Sequence, residues 1–447
     1  MADSSCGDSR IRGEAAPSVD DMVCAAREAA HAAPPVAAAP YAVFGERLRV
    51  GLRERWPDIL KASASDVDRA RALGHPSALL ERVELRDSHL DQLTALVDEV
   101  LAALPRLTEP RADDPGEVDG MSVRRVPRPL GVILFVYEAR PTVTIEGALM
   151  AVATGNAVLL RGGKEIGAVN EEFRALLHDC LAAAGLPTGM VHVLDDADRS
   201  QLRALLKRRD AADLLIPRGS PSLIDYCQQA SKIPVLASGG GVNHLYVHSS
   251  ADLEQAAAIA LDSKLSEPTA CNTLEMVLVD SAAAAEFVSA LVRQGERQGV
   301  DCTLRLPETL AVKSADHVTV EPLAEHDLGR EFPDRSIAVS AVDCLDGAVA
   351  HIRAYGTGHT EAVAADDPEI VDQFCRAVDA AAIVVNGSTR LHDGPTMRLG
   401  PEISISTNRL HARGPVGLPA LFTYSWIVDG RGRLRDVSDP RLAAGDS

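Results

Sequence analysis

The 447-residue chain lacks features that would place it in several large functional classes. No stretch reaches the roughly 18 consecutive apolar residues that a membrane-spanning helix needs. The N-terminal text (ADSSCGDSR) has no charged region leading into an apolar one, so a cytoplasmic protein without a membrane partner is expected. Basic charge is in deficit: 45 Lys and Arg against 64 Asp and Glu leave a formal charge of -19. A polyanion needs a basic face, so nucleic acid and anionic lipid are disfavoured as partners, while a local pocket for one small phosphate stays open. The eight cysteines (Cys6, Cys24, Cys180, Cys227, Cys271, Cys302, Cys344, Cys375) include no CxxC pair, which predicts reduced thiols. His351, His359, His392 and His411 fall at irregular spacing without a companion carboxylate or Cys pair, so no metal is expected. Internal repeats are missing, as is a GxGxxG after the first strand, which excludes the usual glycine-rich grip on a pyrophosphate.

What is present reads as an α/β protein. Residues 1–20 look like a flexible leader, and HAAPPVAAAP (31–40) cannot be one uninterrupted helix because proline removes a donor and clashes. From Gly45 to Ala103, apolar residues recur at helical spacing (Leu85, Leu90, Leu93, Leu96, Val97, Val100, Leu101), with Pro57, Gly74 and Pro76 as punctuation between several helices. The period then changes. Ser122–Val126 reads as a short strand, and Gly131–Tyr137 (GVILFVY) as a strand buried on both faces. Strands at Ala157–Leu160, Met190–Leu194 and Asp213–Ile216 alternate with helices near 168–184 and 199–207, which implies right-handed crossovers and a doubly wound parallel sheet. Two more short strands, Pro234–Ala237 and Leu245–His248, lead into a helix at Asp252–Lys264, and a second alternating block runs to about Val385. The expected division is a cofactor-binding domain over 21–250, a second α/β domain over 251–385, and a return to the first over 386–435. Strand-like text in 401–428 is expected to pair with Ser122–Val126, so that 118–130 joins a small β oligomerisation element.

In open parallel sheets ligands sit beyond the carboxyl ends of strands. After Ala157–Leu160 comes Arg161-Gly162-Gly163-Lys164, whose glycines let backbone approach a ligand and whose cations suit a ribose or a 2′-phosphate. After Asp213–Ile216 comes Pro217-Arg218-Gly219-Ser220, where Ser220 can cap the next helix. Each turn alone is ordinary turn chemistry; together they favour a dinucleotide. Cys271 lies in EPTACN, a turn between helix and strand at the domain junction, where backbone dipoles can stabilise an exposed thiolate. By position alone a buried, inert cysteine is the commoner outcome.

The stretches PLGVILFVYEARP, GNAVLLRGGKE, LLIPRGS, CNTLEMVLV, VVNGSTR and LHARGPVGL, spread over about Val126–Val428, resemble signatures of the gamma-glutamyl phosphate reductase family of the aldehyde dehydrogenase superfamily. The resemblance implies an aldehyde-dehydrogenase-like fold. It also implies NADPH-dependent reduction of L-glutamyl 5-phosphate to the semialdehyde, an upstream amino-acid kinase as metabolic partner, and a homodimer or homotetramer. Carried over residue by residue, it makes Cys271 the nucleophile that forms a thioester, with Thr142 and Asn272 beside it. Arg161–Lys164 and Pro217–Ser220 would line the cofactor, and Glu331 would be its ribose carboxylate. The segment LASGG (236–240) holds no glutamate where hydrolytic aldehyde dehydrogenases keep the base for deacylating water, which favours reduction.

Several positions depart from the family wording. Thr142 stands where an asparagine serves as oxyanion donor, and Glu267 stands where the family has a cation beside the acyl-phosphate site. Asn243 replaces a frequent Cys, His248 an acidic residue, and DGPTMRLGP (393–401) a Gly/Phe-rich loop. These changes keep two alternatives open: the same chemistry on another acyl phosphate or acyl thioester in a specialised pathway, or a catalytically idle cofactor-binding homologue. His411 and Arg413 are expected to hold a subunit or domain junction.

Overall fold

A computed structural model of the chain describes residues 18–110, 112–194, 199–409 and 412–434. Four helices lead: α1 (Val19–Ala32), α2 (Ala39–Ala72), α3 (Ser77–Val83) and α4 (Asp87–Ala103). Ser18 and Asp21 form a reciprocal capping box at the start of α1, so residues 18–20 of the expected leader belong to a helix; 1–17 lie outside the described residues. The Ala/Pro stretch separates α1 from α2 as expected. Pro57, however, does not end a helix but lies inside the 34-residue α2. Tyr41, Phe44, Leu48, Leu52, Trp56 and Ile59 bury a continuous stripe of that helix against α4 and its neighbours, and this burial outweighs the one backbone bond that proline forgoes.

The antiparallel strands β1 (Gly116–Val118) and β2 (Met121–Pro129) precede the first parallel sheet. That sheet comprises β3 (Val132–Tyr137), β4 (Ala157–Arg161), β5 (Val191–Val193) and β6 (Leu214–Arg218), in the order β5-β4-β3-β6. Its helices are α5 (Thr142–Ala153), α6 (Gly167–Ala183), α7 (Ser200–Leu206) and α8 (Pro221–Ala230). Every residue of β3 and β4 is buried, because apolar clusters cover both faces of the sheet. Pro234–Ala237, expected as a strand, makes only an isolated bridge from Val235 to Leu215, since Pro234 has no N–H to extend the ladder.

The second sheet has seven parallel strands. They are β7 (Asn243–Val247), β8 (Leu274–Asp280), β9 (Cys302–Leu306), β10 (Val318–Pro322), β11 (Ser336–Val342), β12 (Thr360–Ala364) and β13 (Ala382–Val385), ordered β10-β9-β11-β8-β7-β12-β13. The helices α9 (Leu253–Leu265), α10 (Ala284–Gln298), α11 (Leu345–Tyr355) and α12 (Pro368–Ala377) accompany it. Because β7 is a strand of this sheet, the expected domain boundary at 250 falls one strand too late. The closing segment contains β14 (Glu402–Ser406), β15 (Gly414–Gly417) and β16 (Phe422–Asp429). β16 pairs antiparallel with β2 from Phe422↔Pro129 to Asp429↔Ser122, the pairing expected from sequence and longer than expected. Buried Asn156 ties this segment to the first sheet: Nδ2 donates to Leu421 O at 2.7 Å and Oδ1 accepts from Gly131 N at 2.9 Å. His411 lies outside the described residues, whereas Arg413 pairs with Asp379 at 2.6 Å, joining the closing segment to the turn after α12.

Candidate active site

A cleft of about 550 Å³ opens where the carboxyl end of β6 meets the turn between α9 and β8. The turn begins where α9 stops at Leu265, is braced by Ala270 N→Glu267 O and Thr273 N→Ala270 O, and delivers Cys271 and Asn272 to the cleft. Opposite stand Arg140, Arg218, Glu331, Arg390, Asp393 and Glu402. A glycine run forms its floor. A Cβ on Gly241 would lie 1.8 Å from the backbone oxygen of Cys271, so no other residue fits there without moving the turn, while one on Gly240 would lie 2.3 Å from Glu331 Oε1 and displace that carboxylate. Gly241 N donates to Glu331 Oε1 at 2.7 Å, and Ser238 Oγ donates to Pro217 O at 2.8 Å, which joins this floor to β6.

The structure gathers most of the residues expected from sequence and corrects some roles. Cys271 is half-buried, and burial, followed by the charge of Glu402, pushes its thiol up to about 11, against the weaker opposing pull of Arg218 and Arg390. The resting side chain is therefore a thiol, because burial outweighs the backbone dipoles of its turn. Thr142 begins α5 half-buried, but its neighbours Arg140 and Val143 line the cleft in its stead. Asn272 is buried, with Nδ2 donating to His392 O at 3.0 Å. Ser220 occupies the cap position of α8, yet its hydroxyl donates to Glu138 at 2.6 Å rather than capping the helix. Arg218 lines the cleft while paired with Glu146 at 2.7 Å.

A second cleft of about 550 Å³ is lined by Arg161, Gly163 and Lys164 and shares Tyr137, Glu138, Arg140 and Ser220 with the first as a common wall. Gly162 and Gly163 leave little room there: added Cβ atoms would lie 2.8 Å from Asn170 Nδ2 and 2.5 Å from Glu165 Oε2, and those side chains would have to shift. The adjoining space beside Lys164 is bounded by Arg69 and Arg174. The first amides of α6 are taken by buried Asp66, which accepts from Ala168 N at 3.1 Å and Val169 N at 3.0 Å. Those amides therefore have their acceptor within the protein.

Sequence reasoning did not single out Arg140, Arg390 and Glu402, although each lies in a quoted or flagged stretch. Among the described residues no ion pair engages Arg140 or Arg390. Burial pushes the Glu402 carboxyl up to about 7. Two departures from the family wording lose their force: Glu267 is exposed and does not line the cleft, and His248 sits beyond β7, bonded to Ser250 at 2.9 Å.

Comparison with known proteins supplies the frame for this geometry. Residues 11–305 match the family model "Aldehyde dehydrogenase family". Gamma-glutamyl phosphate reductase of Salmonella paratyphi C is 40% identical over 393 residues, covering 87% of this chain and 93% of that protein. The chain belongs to the gamma-glutamyl phosphate reductases of the aldehyde dehydrogenase family. The crystal structure of gamma-glutamyl phosphate reductase from Thermotoga maritima superposes with a TM-score of 0.86 at 33% identity, covering 94% of this chain and all of that one (100%). An acetylating aldehyde dehydrogenase from Geobacillus thermoglucosidasius shares the fold, with a TM-score of 0.66 at 17% identity over 94% of this chain and 97% of that one. Membership makes the chain an oxidoreductase of aldehyde-dehydrogenase-like α/β fold.

Proposed function

We propose that the chain reduces L-glutamyl 5-phosphate to L-glutamate 5-semialdehyde and phosphate, with NADPH as reductant and Cys271 as nucleophile. The observation that carries this reading is Cys271 sharing one cleft with Arg140, Arg218 and Arg390 in a chain 40% identical to a gamma-glutamyl phosphate reductase. Once Cys271 has lost its proton, Sγ attacks the acyl carbon and the bond to phosphate breaks, its electron pair leaving on the phosphate oxygen. Arg140 and Arg390 meet that charge with guanidinium groups that no carboxylate among the described residues pairs. The amide of Cys271, which already favours the charged form of its own side chain, donates to the developing oxyanion. NADPH, when bound, supplies the hydride that turns the thioester into aldehyde. Release of the aldehyde breaks the C–S bond and returns Cys271 to the thiolate. The residues fit the cofactor: the second cleft runs into the first along a shared wall, its glycines let backbone approach a ligand closely, and Lys164, Arg69 and Arg174 supply cations for a 2′-phosphate.

An upstream amino-acid kinase would furnish the unstable acyl phosphate, and the chain would assemble as a homodimer or homotetramer in the cytoplasm. Assembly is supported by Tyr424, Trp426 and Val428, all exposed on β16. Among the described residues no helix is long and apolar enough to cross a membrane. The test runs the reaction backwards, following NADP+ reduction with the semialdehyde and phosphate beside Cys271→Ala. Phosphate-dependent turnover that the variant loses is the expected result; a wild-type protein that binds NADPH yet shows no turnover overturns the assignment.

A further inference from the structure

Beneath the nucleophile turn lies a belt of buried polar side chains that the chemistry above leaves unused. Asn243, the first residue of β7, has no exposed surface. Its Nδ2 lies 2.9 Å from Cys271 O, 2.6 Å from Thr273 O and 3.1 Å from Gly241 O, and its Oδ1 accepts from Thr360 N at 3.0 Å. Thr360 Oγ1 lies 2.9 Å from His392 Nδ1 and 2.7 Å from His359 Nδ1, and His392 O accepts from Asn272. Burial holds His359 down to about 3 and His392 down to about 4, so the belt is uncharged at neutral pH. The register between β7 and β8 slips here: Asn243 faces Leu274 and His244 faces Met276, which leaves Glu275 as an extra residue. Such a bulge interrupts the backbone ladder and re-aims the chain.

We propose that Asn243 is a positioning residue for Cys271, its amide holding the carbonyls of Cys271 and Thr273 just ahead of the bulge so that Sγ keeps one aim into the cleft. The proposal rests on Cys271 as the nucleophile. An amide offers two strong N–H donors, whereas a cysteine in its place would offer a single weak one. The belt closes on itself: Asn243 holds Cys271 O, and His392, reached through Thr360, holds the side chain of Asn272. Losing the amide frees the turn, and misplacement by near an ångström costs up to about a hundredfold in rate.

The test compares Asn243→Cys and Asn243→Ala with wild type in the semialdehyde, phosphate and NADP+ assay, with hydrogen exchange read by peptide mass spectrometry. The cysteine variant is expected to remain folded, since the smaller side chain fits the buried site without a clash and keeps one weak donor. Expected results are a kcat lowered by about tenfold or more in both variants, KM for NADP+ and phosphate within about twofold, and faster exchange confined to residues 267–273. Wild-type kcat in Asn243→Cys, or a loss matched by its unfolded fraction in circular dichroism, overturns the proposal. So does faster exchange spread through β7 and β12. Should wild type itself fail to turn over, the functional reading falls, and exchange at 267–273 still judges the clamp.

Discussion

Replacing Glu402 with glutamine removes the charge that, after burial, most raises the Cys271 thiol. Glutamine keeps an oxygen for Gly394 N, which donates to Glu402 Oε2 at 3.1 Å, so the loop need not move. With the wild-type thiol near 11, about one side chain in a thousand is thiolate at pH 8. One charge across a partly screened cleft is worth about 1.4 kcal/mol, or about one pKa unit. The variant then holds about tenfold more thiolate, and the lower intrinsic nucleophilicity of a less basic sulfur trims the gain to about threefold. Glu402 itself titrates at about 7. Below that pH it is neutral in wild type and the variant changes nothing; above it the charge is present and the variant differs. The assay is the rate of iodoacetamide alkylation at Cys271, mapped by peptide mass spectrometry. The variant-to-wild-type ratio is expected near one at pH 6, rising to about three at pH 8. A ratio that is flat with pH, or below one at pH 8, refutes the electrostatic account.

Arg140→Ala and Arg390→Ala each remove a cation with no internal ion pair; a charge-assisted bond of about 1.5–3 kcal/mol predicts a KM for phosphate in the reverse assay raised about ten- to a hundredfold. Gly241→Ala places a Cβ 1.8 Å from Cys271 O, so the nucleophile turn must shift, and kcat should collapse by far more than the melting temperature changes. Lys264 is fully buried, with Nζ 2.9 Å from Glu275 and 2.7 Å from Phe332 O. Lys264→Met should cost about 3–5 kcal/mol in denaturant unfolding, much of it recovered in the double variant with Glu275→Leu. Recovery absent from the double variant would show that packing, not the orphaned carboxyl, sets that cost.

The alternation of apolar runs with helical periodicity was enough to place β3, β4 and α6 to within a residue or two, because strands covered on both faces and helices covered on one leave a local imprint in the amino-acid order. The glycine turns and Cys271 were legible for the same reason: a turn that cannot carry a Cβ, or a thiol between helix and strand, is a local fact. Pro57 and Pro234–Ala237 misled because their outcome rests on partners distant in the chain: the helices that bury α2, and the strand β6, from which Pro234 O accepts but to which Pro234 N cannot donate. Tertiary structure alone brought Arg140, Arg390 and Glu402 to Cys271 across more than a hundred residues of chain, and removed Glu267 and His248 from the cleft. It alone decided that the Cys271 thiol is pushed upward rather than downward, because a pKa answers to burial and to charges met through space, neither of which is written at the cysteine's own position.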